Sequence, residues 1–255
     1  HDEIKISNTS SRRKECLHLI GGLIMGNLGD WMEQNNLIAF RAFSATDASD
    51  LPTGWTEPTK FTLEAVAVFD GRQMTLFTDE VHRMLIKDKT TKTMPLDSLS
   101  EDFVAGFANN SPTLIGYGSS KFDLPLLRHH HPIFKKAKHI DLSKIVSDAS
   151  EKYYGSYGRR YDLRSLATTN RRKQTAMPHL SLMMKPIALF SEWQRGLARN
   201  VIRTLAAEVE LIAELYCYVK TREEIRIIDE RTDRPVTVNC DFIRDTSLLI
   251  DIEEE

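Results

Sequence analysis

Apolar residues come in short runs whose spacing changes along the chain, separated by polar stretches marked by glycine and proline. LIAFRAFSA (37–45) is densely apolar and aromatic, the pattern of a buried strand. KFTLEAVAVFDGRQMTLFTDE (60–80) holds two strand-like runs joined by Asp70-Gly71, which predicts a hairpin. LDSLSEDFVAGFANN (96–110) opens on Ser and Asp caps and spaces Leu99, Phe103 and Phe107 as a helix does. TLIGY (113–117) reads as a strand, followed by a helix from Asp123. KHIDLSKIVSDA (138–149) reads as a short strand entering a helix. Residues 151–173 read as a loop of glycine, tyrosine and arginine leading into another short helix. Val201, Leu205, Val209, Ile212, Tyr216 and Val219 then repeat at helical spacing and predict a long helix. One strand candidate, RPVTVNCDFI (234–243), follows before an acidic end.

Ahead of this series, residues 1–10 are polar and expected to be poorly ordered. Residues 11–33 predict an amphipathic or buried helix, because LHLIGGLIMG (17–26) is too short and glycine-rich to span a bilayer. SSRRKE precedes that run, but no small-residue cleavage site follows, so no secretory signal is expected. The chain thus divides into a polar segment plus helix (1–33), a main domain (34–220) and an extension with one strand and an acidic tail (221–255). The meander followed by alternating helices and strands predicts an α/β fold, a mixed sheet flanked by helices.

Charge narrows the chemistry. Lys and Arg number 34 against 36 Asp and Glu, a formal net charge of −2. A protein that coats nucleic acid through bulk positive charge is excluded, so such contact needs a local patch or metal ions. Cys16, Cys217 and Cys240 are scattered and form no CxxC pair, which argues against a disulfide framework or zinc knuckle. An intracellular, cytoplasmic setting and no membrane contact are expected.

Four clusters carry candidate chemistry. In LIGYGSSKFDLPLL (114–127), Asp123 stands where a strand turns into a helix, a position suited to a metal ligand and equally to a helix cap. Asp141 opens the helix after HID, as an N-cap or as an outer group beside such a site. YYGSYGRRYDLR (153–164) interleaves aromatics and arginines, the mixture that stacks bases and neutralises phosphates. Lys152, Tyr157, Arg159 and Arg160 are its candidate contacts, against the alternative of a surface loop with tyrosines packed on the core. His129, His130 and His131 cannot share one helix face, and the expectation there is a polar helix end stopped by Pro132.

In their order and spacing, residues 37–219 resemble the ribonuclease H-like fold of the DEDD 3′–5′ exonucleases, nearest those related to family-B DNA polymerase proofreading domains. LIGYGSSKFDLPLLRHH resembles the second motif, HIDLSKIV a downstream segment, YDLRSLATT a following helix and 201–219 the third-motif helix. The resemblance implies four acidic side chains around two Mg²⁺ or Mn²⁺ ions about 3.5–4 Å apart. Here the first-motif strand AFRAFSATD puts Arg41 and Phe43 at the Asp and Glu places. Asp123 fills the second-motif place, with Gly118 where Asn is frequent. Glu208 stands at the third-motif Asp place, with Thr204 and Arg203 where a Tyr or His would be. Arg41 is placed to pair with Asp123 and stand in for a cation. Asp47 and Asp50, in the loop after the strand, lie several residues beyond the expected ligand position. The resemblance therefore implies a catalytically degenerate exonuclease-like module binding single-stranded nucleic acid or, through 221–255, a protein. No cofactor is expected. The alternative is a divergent Mg²⁺- or Mn²⁺-dependent exonuclease using Asp123, Glu208 and recruited acids.

Overall fold

A computed structural model describes residues 25–85, 91–101, 112–155, 161–170, 186–229 and 231–240. Strands β1 (Leu37–Phe43), β2 (Ala65–Phe69) and β3 (Met74–Thr78) form an antiparallel meander. β4 (Thr91–Pro95) runs parallel to β3, β5 (Thr113–Gly116) parallel to β1, and β6 (His139–Asp141) parallel to β5. The six make one mixed sheet in the order β4-β3-β2-β1-β5-β6. This sheet, flanked by helices, is the architecture expected of a ribonuclease H-like α/β domain. The Asp70-Gly71 hairpin is present with a longer turn than that dipeptide favours. Asp70 accepts from the N–H groups of Arg72 and Gln73 at 2.8 and 2.7 Å. Gly71 sits at φ 94°, and a side chain there would meet Gly29 Cα at 2.7 Å.

Alternation along β1 sends Leu37, Ala39, Arg41 and Phe43 to one face and Ile38, Phe40 and Ala42 to the other. The first face packs against α1 (Met25–Gln34), α4 (Leu142–Tyr154), α5 (Leu163–Asn170), α6 (Pro186–Gln194) and α7 (Ala198–Arg222). The second is covered by α3 (Asp123–His130) with Phe61 and Leu63. Between β3 and β4 lies α2 (Glu80–Leu85). Fifteen of the 25 residues of α7 are buried, so it is covered on more than its sheet side.

Several boundaries differ from the sequence pattern. α4 runs on through Lys152 to Tyr154, stopped by Gly155 at φ 64°, so the glycine–tyrosine–arginine stretch begins as helix. β4 and α6 carry little signal in the residue pattern: TKTMP is half-exposed and lacks β-branched apolar residues, and PIALFSEWQ carries no apolar periodicity. The predicted 96–110 helix starts after a 3-10 turn at Leu96–Ser98, and residues 102–110 lie outside the described residues. So do residues 1–24, with their expected disorder and the start of the first helix, and residues 156–160 and 241–255.

Two strands, rather than one, follow α7. β7 (Glu224–Asp229) and β8 (Arg234–Asn239) form an antiparallel hairpin, and Ile225, Ile227, Val238 and Cys240 join the first-face core. Asn170, ending α5, donates from Nδ2 to Arg226 O and accepts from Arg226 N, both at 2.8 Å. Its amide thereby stands in for a neighbouring strand along the β7 edge. Among the described residues, no helix is long and apolar enough to cross a membrane.

Candidate functional site

β5 ends at Gly116, where a Cβ would collide with the Ser119 side chain. Glycine is thus required for the chain to turn back, and Gly118 at φ 66° completes the turn. Ser119 Oγ lies 2.8 Å from His139 Nε2, both buried. Burial, opposed by Asp141 and helped by the Arg128 charge, pushes the His139 imidazole down to about 4, so the ring is neutral at neutral pH. The turn is also tied to β6 through Asp141. That carboxylate accepts from Gly118 N (2.8 Å), Ser120 N (2.9 Å) and Ser120 Oγ (2.6 Å). It accepts from Ser143 N (3.0 Å) and Ser143 Oγ (2.7 Å) as well, capping α4. Burial pushes its pKa up, but the Ser120, Ser143 and Gly118 donors outweigh that and hold it below the usual range.

The turn so fixed delivers two groups toward β1: the carbonyl of Tyr117 and, at the start of α3, the carboxylate of Asp123. α7 delivers Glu208 from above the same face. Arg41 reaches into the gap and meets all three. Its Nη1 donates to Asp123 Oδ2 at 3.0 Å and to Tyr117 O at 3.1 Å, and its Nε donates to Glu208 Oε2 at 2.9 Å. Asp123 Oδ1 accepts from Ala42 N at 2.9 Å, so the same carboxylate grips both the backbone and a side chain of β1. Asp123 and Glu208 are 2% and 7% exposed. The Arg41 side chain keeps 25% exposure.

Burial pulls the Arg41 pKa down, but Asp123 and Glu208 more than offset this, and the guanidinium stays charged. For Asp123, burial raises the pKa against the opposing pull of Arg41 and the Ala42 N–H. Burial also raises that of Glu208, Arg41 opposes, and Asp123 adds repulsion. One guanidinium thus faces two buried carboxyls and cannot fully compensate both.

This donor set does not fit a pair of divalent cations. The space between the two carboxylates is filled by a cation that belongs to the chain, and one Asp123 oxygen is engaged by a backbone N–H. Among the described residues, no three His, Cys, Asp or Glu side chains gather as a metal-holding group. Phe43, at the other first-motif place, packs on Trp193 of α6 with ring centroids 5.1 Å apart, and Trp193 stacks in turn on His82 at 4.1 Å. Its ring is core. Asp47 is engaged by Ser49 N at 2.9 Å, and Asp50 is exposed.

The three histidines diverge. His130 Nε2 lies 3.0 Å from Phe61 O, His131 Nδ1 lies 2.8 Å from Ser100 Oγ, and His129 is exposed where α3 ends. Lys152 is exposed in the last turn of α4, while Tyr157, Arg159 and Arg160 lie outside the described residues. The backbone groups of Ala42 and Tyr117 carry no signal in the residue pattern. Nor does the meeting of Trp55, Phe61 and Phe122 beside Asp123, which depends on how the 44–64 loop folds back.

No protein-family model matches the chain, and no curated protein matches it. Among solved structures, the family B DNA polymerase from the hyperthermophilic archaeon Pyrobaculum calidifontis is similar, at 15% identity and a TM-score of 0.46. The match covers 72% of this chain and 24% of that polymerase, so the chain spans about a quarter of its length.

Proposed function

We propose that this chain is a catalytically degenerate relative of the DEDD 3′–5′ exonucleases, acting as a nucleic-acid- or protein-binding module in an assembly that processes nucleic acid. The observation that carries this reading is the Arg41 clamp: a guanidinium bonded to both Asp123 and Glu208 at 2.9–3.0 Å. Two-metal hydrolysis needs carboxylates free to hold ions that create the hydroxide and stabilise the leaving oxygen. In this reading both surviving carboxylates serve instead to hold β1, the Tyr117 turn and α7 together, and no divalent ion is bound. Single-stranded nucleic acid is the favoured ligand. A protein partner would meet the 221–255 region, where β8 exposes Arg234, Pro235 and Thr237. The scattered cysteines suit a reducing, cytoplasmic compartment.

Two measurements test this. Calorimetric titration with Mn²⁺ is expected to give no binding heat in the wild type, and none in Asp123→Ala. A labelled oligonucleotide is expected to remain intact with Mn²⁺ present. Saturable Mn²⁺ binding abolished by Asp123→Ala, together with shortening of the oligonucleotide, would instead support a divergent exonuclease.

A further inference from the structure

Trp55 is 60% exposed, the most exposed of the aromatic residues on the described surface. It is nevertheless held in place. Its ring stacks on Phe61 with centroids 5.2 Å apart and an interplanar angle of 19°. Phe122 meets both, edge-on to Trp55 at 5.2 Å and to Phe61 at 4.9 Å. Phe61 is only 2% exposed, so the stack is rooted in the second-face core. One face of the indole is therefore fixed on protein and the opposite face is open. Phe122 immediately precedes Asp123, so the ring that supports Trp55 is next in the chain to a member of the Arg41 clamp.

The surroundings narrow what can lie on it. Exposed Lys60 and Lys121 directly flank Phe61 and Phe122 in sequence, and the His130 ring is bonded to the Phe61 carbonyl. Glu57 is the acid nearest in sequence to the indole. Of the other loop acids, Asp50 lies on the 3-10 turn packed against the turn that carries Trp55, Asp47 is turned to the Ser49 N–H, and Glu64 accepts from the Thr62 hydroxyl. A flat aromatic face held on one side, with exposed lysines next in sequence to both rings that support it, suits a base and its phosphates in an unpaired strand. A duplex presents no such base face.

We infer that the outer face of Trp55 is a stacking platform for an unpaired base of single-stranded nucleic acid, with Lys60 and Lys121 beside the adjoining phosphates. The inference rests on the nucleic-acid reading above and assigns it a contact surface. Stacking on one aromatic ring contributes about 1–3 kcal/mol by alanine substitution, or about fivefold to a hundredfold in affinity.

The test is fluorescence anisotropy of a labelled oligothymidylate at low salt, with thermal unfolding as the check that each variant is folded. Trp55→Ala is expected to weaken binding about fivefold to a hundredfold, and Trp55→Tyr to retain most of it. On the wild type alone, an abasic oligomer of the same length is expected to bind correspondingly more weakly. That comparison stands even if a variant fails to fold. Wild-type binding that is equal for the two oligomers, or unchanged in Trp55→Ala, overturns the platform and leaves nucleic-acid binding standing. A wild type that binds no oligonucleotide at low salt overturns both.

Discussion

Arg41 concentrates more consequence than any other side chain in the structure. Replacing it by methionine keeps most of the volume but leaves Asp123 and Glu208 buried together without a cation. Breaking a buried ion pair from one side typically costs about 3–5 kcal/mol, and Arg41→Met is expected to fall in that range by urea unfolding at neutral pH. The loss should shrink as the pH is lowered. Burial raises both carboxyls, so the folded state binds their protons more tightly than the unfolded chain does, and acid favours it. A penalty that stays constant with pH would show that the carboxylates are not what Arg41 compensates. Part of this clamp is legible in the sequence: strand position places Arg41 to pair with Asp123, whereas Glu208 falls at the edge of the helical stripe, where an inward and a rim orientation are equally open. Its backbone members are not legible. Whether the Ala42 N–H and the Tyr117 carbonyl face the site depends on sheet register and on the turn that Gly116 allows.

Among the elements, those with strong periodicity, such as β1, β2, β3 and α7, lie close to where the pattern puts them. The weakly patterned strands differ in cause: β4, TKTMP, offers only Met94 as an apolar side chain besides its Pro and is completed by β3 across a helix, while β7, EIRIID, breaks its alternation at Ile228 within six positions. β7 in particular is stabilised from outside its own hairpin by Asn170. Asn170→Ala removes both bonds to Arg226 and the bond to Leu166 O, leaving part of the β7 edge to water. Because this contact is exposed, a loss of about 1–2 kcal/mol is expected. Hydrogen exchange at the Arg226 amide should accelerate while β1 amides stay protected. Acceleration spread evenly through the sheet would mean that the hairpin and the main sheet open as one unit.

At the level of the whole molecule, a net charge of −2 hides an uneven distribution, since some of the acids are held inside. Burial, with Glu210 one helical turn away, raises the Glu214 carboxyl to about 7, against an ordinary 4.5. A raised carboxyl contributes most below its unfolded pKa, and that contribution is lost as pH rises through about 7. Glu214→Gln is therefore expected to be more stable than the wild type by about 1–3 kcal/mol at pH ~8, with the difference vanishing toward pH ~4.5. Equal melting temperatures at both ends of that range would show that Glu214 is solvated. Glu214 lies on α7, as does Glu208, and α7 passes into β7 through the single left-handed residue Glu223 at φ 57°. That continuity makes the helix a rod about 37 Å long, with the clamp along it and a packed hairpin on its end. Each residue inserted or deleted between 209 and 222 would turn the hairpin about 100° around the rod and shift it along the axis. Evolutionary drift here is thus confined to exchanging side chains: this stretch can change its letters far more readily than its count.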